Sequence, residues 1–551
     1  MAVRTRQSSR NTGLAGIDVV CDLPPKSAIP KIVFVTEEDN KLMPKMERPK
    51  RSRKGIAKAG KPVELSGAQD LYAFLYKACD IIRGPVSHEN FKDYITPLLY
   101  FKRISDVWDE ERDRALEESG GDEEYALFPE QHRFVIPEGC HWADIRKRTE
   151  NLGAAIVGAM RQIELANPNT LYGVLSIFGT ANWTDKSILS DGRIADLLNH
   201  FSKRRLGNGD YSADLMGDAY EILLKKFADE SKKKAGEFYT PRAVVKLLVR
   251  ILDPQPGERV YDPACGSGGM LIEAIHHMHN DTLCCGSIYG QEKNVTNAAV
   301  AKMNLFLHGA ADFDVIQGDT LRDPKIVSGD QLARFECVIA NPPFSLDKWG
   351  ATEWSSDRYG RNLWGTPPDS CGDYAWLQHM VASMAWENGR VAVVLPQGVL
   401  FRGDAEGQIR EKLVKSDLIE AVVTLGERLF YGAGIAPCVL ILRRRKRPER
   451  VGKMLMLDGS KIFTPQRAQN ELSPADVDRL FGLYERFADE EDFSKVVTVR
   501  EVEEKGCVLS PNRYVVYHKA EVKPYAEVKR EYLAAVEAVR LAEQRFKEVM
   551  S

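Results

Sequence analysis

Seven short apolar runs constrain the fold of this 551-residue chain more than any other feature. They centre on residues 260, 288, 315, 338, 393, 421 and 440, and helical patterns separate most of them. Strands and helices that alternate in this way build a mainly parallel sheet with helices on both faces. The last run, 436–442, follows its predecessor through a short Gly-rich connection, whereas a parallel crossover needs more chain. We therefore predict a doubly wound α/β domain with seven strands, the last of them antiparallel.

Helical patterns flank this domain on both sides. Leu71, Phe74, Leu75 and Ala78 begin a series of apolar residues at helical spacing, which predicts an all-helical N-terminal domain. From Lys519 to Val549 an alanine- and charge-rich pattern predicts a C-terminal helix whose narrow apolar stripe suits a partner helix. Residues 1–65 carry many prolines and basic residues, so we predict a disordered extension, with an arm that touches DNA or a partner as the alternative. The predicted domains are 1–65, 66–209, 210–445 and 446–551.

Composition excludes several classes of protein. The net charge is −3, so the chain as a whole is not a basic nucleic-acid-binding protein, although Arg443–Arg447 is either a phosphate contact or a solvated strand exit. The ten cysteines are scattered without a CxxC pair, which fits a reducing compartment. No apolar stretch is long enough for a membrane span and no signal peptide is present. We therefore expect a cytoplasmic protein.

The tetrapeptide Asn341-Pro342-Pro343-Phe344 follows an apolar run at the mouth of a predicted strand. The side-chain oxygen of Asn341 and the carbonyl of Pro342 can both accept hydrogen bonds from an exocyclic amine. The two prolines stiffen the turn, and Phe344 offers a flat face on which a base can stack. The motif therefore indicates methyl transfer to a planar NH2 group, although an ordinary exit from a strand into a turn is also compatible with it.

A glycine-rich turn separates the first predicted strand from the helix that starts near Met270. Its sequence is DPACGSGG, from Asp262 to Gly269, and its glycines allow a ligand to approach the backbone closely. It does not complete the dinucleotide-binding pattern G-x-G-x-x-G, and the chain has no G-x-x-x-x-G-K-[ST] phosphate loop. The next two strands end in carboxylates, Glu292 for ribose hydroxyls and Asp319 for an adenine amine. We expect these groups at one edge of the sheet.

Two other clusters of residues allow more than one interpretation. A loop between Ser345 and Cys371 is either a lid or DNA-facing surface, or a segment that packs its aromatic residues on the domain. Those aromatic residues are Trp349, Trp354, Tyr359 and Trp364. A second cluster contains His276, His277, His279, Cys284 and Cys285. It lacks the spacing of tetrahedral zinc ligands, so we predict no metal site.

Taken together, the motifs resemble those of the modification subunits of type I restriction-modification systems, which are N6-adenine DNA methyltransferases that use S-adenosylmethionine. The resemblance runs from about residue 66 to the region near 445, and more weakly beyond. Its matching stretches are GEFYTPR from Gly236, DPACGSGGMLIEA from Asp262, GQE from Gly290, GDTL from Gly318, ANPPFS from Ala340, DYAWLQH from Asp373 and GRVAVVLP from Gly389. Met270 stands where many DNA methyltransferases have Phe, a change of little consequence because the volumes are similar.

The resemblance implies a Rossmann-like methyltransferase fold and the roles of individual residues. A flipped target adenine would be held at a catalytic turn formed by Asn341, Pro342, Pro343 and Phe344. The predicted residues for S-adenosylmethionine are Glu237, Phe238, Tyr239, Thr240, Pro241, Arg242, Asp262, Gly266, Ser267, Gly268, Gly269, Glu292 and Asp319. Pro241 suits the first turn of a helix from Ala243 to Leu252, which makes Thr240 the predicted N-cap.

The resemblance also implies partners: double-stranded DNA, a specificity subunit that binds two copies of this chain, and a restriction or translocase subunit. Cytosine N4 presents the same amine geometry as adenine N6, so the tetrapeptide alone does not choose the base, and the resemblance favours adenine. The alternatives are a stand-alone DNA amino-methyltransferase, a protein-glutamine methyltransferase with a similar turn, and a scaffold subunit with an inactive site. Intact Asn341, Asp262 and Glu292 argue against the scaffold.

Overall fold

The computed structural model describes residues 68–168, 181–212, 240–278, 287–310, 312–430, 436–466, 469–518 and 525–550, with scattered positions between 170 and 226. The predicted extension 1–65 lies outside the described residues, as do Glu237, Phe238, Tyr239, His279, Cys284 and Cys285. No helix in the described ranges is long and apolar enough to cross a membrane.

The N-terminal part is helical, as predicted. Its helices are α1 (Ala68–Ile82), α2 (Phe91–Ser119), α3 (Glu123–Ala126), α4 (Trp142–Arg146), α5 (Leu152–Ala166) and α6 (Asp191–Phe201). Helix α2 contains Pro97 and nevertheless continues to a left-handed Gly120 (φ 73°). Buried apolar residues of these helices form one core with Met303 and Phe306, which belong to a later helix under the sheet. The two parts of the chain therefore share a hydrophobic core.

A nine-stranded sheet forms the centre of the molecule. Its strands are β1 (Val260–Asp262), β2 (Ile288–Glu292), β3 (Phe313–Gln317), β4 (Cys337–Ala340), β5 (Arg390–Pro396), β6 (Ile419–Thr424), β7 (Pro437–Arg443), β8 (Lys453–Asp458) and β9 (Ser494–Thr498). The strand order is β9-β8-β6-β7-β5-β4-β1-β2-β3. Strand β7 is antiparallel to both β5 and β6, and β9 is antiparallel to β8. The other pairings are parallel.

The predicted α/β class, the seven strands and the antiparallel β7 are confirmed, but the strand count was two short. Strands β8 and β9 follow residue 445, so the sheet extends beyond the position at which we placed the end of the methyltransferase domain. The sequence of β8, KMLMLD, is rich in Met and Leu, which favour helices as much as strands. The conformation of β8 therefore depends on its pairing with β6, which a pattern of neighbouring residues does not predict.

Helices cover both faces of the sheet. Those around and after the first strands are α7 (Arg242–Leu252), α8 (Gly269–Met278), α9 (Val295–Leu307), α10 (Ala351–Trp354), α11 (Asp373–Ala382), α12 (Asp404–Lys415), α13 (Pro474–Arg486), α14 (Val499–Glu504) and α15 (Tyr525–Met550). Helices α7, α8 and α13 pack on one face, whereas α11, α12 and α14 pack on the other. Alternate strand residues such as Ile339 and Val338 point into the two cores, as the period of a strand requires.

The basic run at 443–447 is largely paired inside the domain. Arg443 lies 2.5 Å from Glu420, Lys446 lies 2.5 Å from Asp417, and Arg447 lies 3.0 Å from Glu485. Arg444 donates to the carbonyl of Val381. The run therefore stabilises the end of β7, and most of its charge is not available to a phosphate.

Candidate active site

The glycine-rich turn after β1 is held against the end of β2. The backbone N–H of Gly266 donates to Glu292 Oε2 at 2.9 Å, and that of Cys265 donates to the carbonyl of Gln291 at 3.1 Å. Gly266 (φ 53°) and Gly268 (φ 83°) adopt left-handed conformations. A Cβ at Gly268 would lie 3.4 Å from Ala301 of α9, an ordinary van der Waals contact, so the left-handed φ is what favours glycine at this position. The glycines therefore allow the turn to lie close to α9.

The Glu292 carboxylate keeps acceptor capacity on both oxygens. Its Oε2 accepts from Gly266, and its Oε1 accepts from the backbone N–H of Asn294 at 2.7 Å. Burial raises the pKa of Glu292, while these backbone hydrogen bonds lower it. Each carboxylate oxygen has a second lone pair, so Glu292 can still accept from the two hydroxyls of a ribose.

Asp262 shapes the turn from within. Its side chain is 2% exposed, and its Oδ1 accepts from the N–H of Ala264 at 2.9 Å. Burial raises the pKa of Asp262 to about 8, so the neutral acid is favoured near pH 7. This hydrogen bond gives Asp262 a structural role in the turn, whereas its predicted contact with a cofactor stays a prediction.

The end of β3 is tied to the same turn. The N–H of Gly318 donates to the carbonyl of Glu292 at 2.9 Å, and Thr320 Oγ1 donates to the carbonyl of Pro263 at 2.6 Å. Asp319 lies between them and forms a 2.8 Å ion pair with the largely exposed Lys293. The glycine-rich turn, Glu292 and Asp319, which follow three different strands, therefore lie together at one edge of the sheet.

The catalytic turn predicted from the sequence continues β4 at this same edge. Asn341 Nδ2 donates to Thr240 Oγ1 at 2.9 Å. Its Oδ1 is buried and has no hydrogen-bond partner among the described residues. An acceptor presented in this way at the end of a strand fits an amine donor from a substrate.

Thr240 is not the N-cap of α7 that the sequence predicted. Helix α7 begins at Arg242, and its N-cap is Pro241, whose carbonyl accepts from Val244 at 2.9 Å. The prediction of Thr240 as the N-cap was wrong because the extended ψ of Pro241 (130°) places the helix start one residue later. The Thr240 hydroxyl is instead available to orient the Asn341 amide.

A buried carboxylate fixes the exit of the catalytic turn. Ser345 adopts a left-handed conformation (φ 50°), and its N–H donates to Asp373 Oδ1 at 2.7 Å. Asp373 is fully buried at the start of α11, and its Oδ2 accepts from Arg402 Nη1 at 2.9 Å. Phe344, immediately before Ser345, is half-buried, with its ring centroid 6.4 Å from that of Phe430. The hydrogen bond from Ser345 to the Asp373 carboxylate therefore fixes the direction of the backbone after Phe344.

The Arg402 guanidinium also explains a cluster with the composition of a metal site. Ligand atoms of Cys371, Asp373 and Glu406 lie within 4.8 Å of one another. Arg402 Nη1 is 2.9 Å from Cys371 Sγ and 3.1 Å from Glu406 Oε1. Burial lowers the pKa of Arg402. The hydrogen bond to Asp373 and the charge of Glu406 outweigh burial, so the pKa lies above its usual value. The guanidinium thus occupies the position that a metal cation would take.

The loop between Ser345 and Cys371 packs its tryptophans on the domain. Trp349 and Trp354 are buried and contact each other, and they form a cluster with Leu321 and Trp376. Buried Arg361 has its guanidinium 4.5 Å from the Trp354 ring centroid and donates to the carbonyls that follow Asp319. Of the two interpretations of this loop, packing on the domain is therefore correct for Trp349 and Trp354.

Sequence reasoning gave no role to Asp373, Arg402 or Arg361. Asp373 heads the quoted stretch DYAWLQH, and a carboxylate at the start of a wholly apolar helix face was an available signal for a buried partner. Arg402 and Arg361 each pair with a carboxylate four residues away, Glu406 and Asp357. Their other contacts, with Asp373 and with the carbonyls of Thr320 and Leu321, join residues distant in sequence, so no local pattern indicates them. Of the predicted histidine cluster, His276 Nε2 lies 3.2 Å from His308 Nδ1.

Comparisons with known proteins agree on one family. Residues 211–523 match the family described as N-6 DNA Methylase, and residues 71–201 match the HsdM N-terminal domain. The Type I restriction enzyme MjaVII methylase subunit of Methanocaldococcus jannaschii is 31% identical over 523 residues, which cover 91% of this chain and 86% of the relative. The EcoKI methylase subunit of Escherichia coli is 28% identical over 397 residues, covering 68% of this chain and 67% of the relative.

Solved structures agree with this assignment. The crystal structure of a type I restriction-modification system methyltransferase subunit from Streptococcus thermophilus is 27% identical to this chain, with a TM-score of 0.69. The similarity covers 82% of this chain and 100% of that chain. A modification subunit of a putative type I restriction enzyme from Vibrio vulnificus shares the fold, with 21% identity and a TM-score of 0.61 over 80% of this chain and 94% of that chain. The chain belongs to the N-6 DNA methylases, and within them to the methylase subunits of type I restriction enzymes.

Proposed function

We propose that this protein transfers a methyl group from S-adenosylmethionine to N6 of adenine in double-stranded DNA, as the modification subunit of a type I restriction-modification complex. The observation that carries this proposal is the buried, unpartnered Oδ1 of Asn341 at the carboxyl edge of the sheet. The strand-end carboxylates Glu292 and Asp319 lie at the same edge. Methylation by such a complex would protect host DNA from restriction.

The residues at the carboxyl ends of β1 to β3 fit S-adenosylmethionine. The left-handed Gly268 allows the turn to lie close to α9. Glu292 has free lone pairs for the ribose hydroxyls, and Asp319 can receive the adenine amine if its ion pair with Lys293 opens. When bound there, S-adenosylmethionine supplies the methyl group on a positively charged sulfur.

The catalytic turn would hold the target amine. Asn341 Oδ1 and the carbonyl of Pro342 accept the two N6 hydrogens, which draws the nitrogen lone pair out of conjugation with the ring. Phe344 stacks on the base, and the Thr240 hydroxyl keeps the Asn341 amide in its orientation. Since the amine attacks with its own lone pair, catalysis consists mainly of orientation. The adenine must leave the duplex to reach this position.

The C-terminal helix α15 supports the proposal of a protein partner. Its exposed large apolar residues include five at successive intervals of three, four, seven and seven residues: Tyr525, Val528, Tyr532, Val539 and Phe546. This spacing is that of a heptad seam, which packs against another helix. We propose that a helix of the specificity subunit binds this seam, with two copies of this chain on one such subunit, and that a restriction subunit completes the complex. The predicted segment 519–524 lies outside the described residues.

The proposal is tested by identifying the methylated product. The chain is co-purified with the specificity subunit of the proposed complex and incubated with DNA and S-adenosylmethionine labelled in the methyl group. We expect the label in N6-methyladenine after digestion of the DNA to nucleosides, and none with the Asn341→Ala variant. Label in N4-methylcytosine, or in protein instead of DNA, would contradict the proposal.

A further inference from the structure

Trp386 is exposed on a rigid part of the surface. It lies between α11 and β5, and 66% of its surface is accessible. The guanidinium carbon of Arg334 is 3.9 Å from the indole centroid, and that of Arg444 is 4.9 Å from it. Cation–π contacts of this kind fix the orientation of the ring.

The two arginines are anchored by the backbone at the end of α11. Arg334 Nη1 donates to the carbonyls of Ala382 and Met384 at 2.9 and 3.0 Å, and Arg444 Nη2 donates to that of Val381 at 2.9 Å. These bonds satisfy carbonyls at the helix end, which explains the arginines. They do not explain an indole that stays largely in water.

The cluster carries positive charge that no neighbouring carboxylate neutralises. Within the described part of the chain, neither Arg334 nor Arg444 forms an ion pair, and the exposed Glu387 beside Trp386 forms none either. Burial lowers the pKa of both arginines, and the charge of Arg334 lowers that of Arg444 further. An anion bound at this surface would relieve the repulsion between the two cations.

The position of the cluster selects a protein over DNA as the source of that anion. Arg334 and Trp386 precede β4 and β5, whereas Asn341 follows β4, so the cluster lies at the opposite edge of the sheet from the catalytic turn. Strand β5 has seven residues, which span roughly 20 Å. A duplex bound at the catalytic turn would be separated from the cluster by the length of the sheet.

We propose that Arg334, Trp386 and Arg444 form a docking surface for an acidic segment of a partner protein. Carboxylates of that segment would pair with the guanidinium groups, and its side-chain methylenes would pack on the indole. Tryptophan and arginine are enriched among the residues that contribute most of the binding energy at protein interfaces. This surface is separate from the catalytic turn, but its partner belongs to the complex in the proposed function.

The test uses a photoreactive side chain at the cluster. The variant Trp386→p-benzoylphenylalanine is produced in the full chain, assembled with the specificity and restriction subunits of the proposed complex, and irradiated with and without DNA. The matched control is Leu165→p-benzoylphenylalanine, because Leu165 on α5 is 56% exposed and does not belong to the cluster. We expect a light-dependent adduct to a partner peptide rich in Asp and Glu, weakened by high salt and missing in the control.

An adduct to DNA, an adduct to a peptide without acidic residues, or no adduct in the assembled complex would overturn the proposal. As a second measurement, Trp386→Ala should weaken binding of the crosslinked partner about 30-fold with an unchanged melting temperature. Binding within threefold of the wild type would also overturn it. Methylation of DNA is assayed on the same preparations, so the two proposals can fail separately. A crosslink to an acidic peptide in a complex that does not methylate DNA would contradict the proposed function but support the docking surface.

Discussion

Replacement of Asp373 tests whether the catalytic turn depends on a carboxylate that touches neither substrate. In Asp373→Ala, Ser345 loses the acceptor of its N–H and Arg402 loses one of two carboxylates. A hydrogen bond to a charged group contributes about 1.5–3 kcal/mol. The left-handed Ser345 is disfavoured by about 1–2 kcal/mol, which that bond offsets in the native turn.

Loss of about 2 kcal/mol reduces the ratio of native to non-native turn roughly 30-fold, since 1.36 kcal/mol corresponds to a factor of ten. The fraction of molecules with the native turn falls by at most this factor, so we expect kcat of Asp373→Ala to fall between about tenfold and 30-fold. Affinity for S-adenosylmethionine should stay within about threefold, because the turn after β1 does not contact Asp373. The variant Asp373→Asn keeps an acceptor for Ser345 and loses only the charge, so its kcat should fall less than tenfold.

Methyl transfer under saturating DNA and calorimetric binding of S-adenosylmethionine provide the two readouts, and a melting temperature shows that each variant is folded. A folded Asp373→Ala variant with kcat within threefold of the wild type would show that the Ser345 bond does not control the turn. Equal losses in kcat and in cofactor affinity would show a general structural effect instead.

Other substitutions separate the remaining roles. Asn341→Ala should abolish methylation and leave the affinity for S-adenosylmethionine within a few-fold, whereas calorimetric loss of binding in the folded variant would remove its assigned role. Gly268→Asp should weaken that affinity roughly 100-fold, because a strained, charged side chain enters the turn; Gly257→Asp, also at a left-handed glycine (φ 88°) but with open space around it, is the control. The melting temperature of Asp262→Asn, measured relative to that of the wild type, should rise as pH rises from 5 to 9. Burial raises the folded pKa of Asp262 to about 8, so its favourable contribution is present at low pH and lost above that pKa. A constant difference across this pH range would contradict the titration.

Local sequence patterns predicted the strands and connections whose conformation depends on neighbouring residues. Alternating apolar runs located the first seven strands, and the short connection to β7 predicted its antiparallel direction. The strands β8 and β9 were missed because their conformation depends on pairing with β6 and with each other. Similarly, the start of α7 depends on the backbone angle of a single proline, which a residue preference does not specify.

The candidate site shows the same division. The glycine turn, Glu292, Asp319 and Asn341 were predicted because each lies directly at the end of a recognisable strand. The bond between Thr240 and Asn341 and the support of Ser345 by Asp373 join residues that are distant in sequence. Such partners follow from the tertiary fold, so a single sequence without its structure does not identify them.

The most direct test maps methylated adenines in DNA treated with the chain alone, with the chain and its specificity subunit, and with the Asn341→Ala chain and that subunit. We expect the complete complex to methylate N6 of adenine within one recognition sequence, and the other two preparations to leave that sequence unmethylated. Site-specific methylation by the chain alone would contradict the need for a separate specificity subunit. Methylation by the Asn341→Ala complex would contradict the central claim, that the turn after β4 holds the target amine.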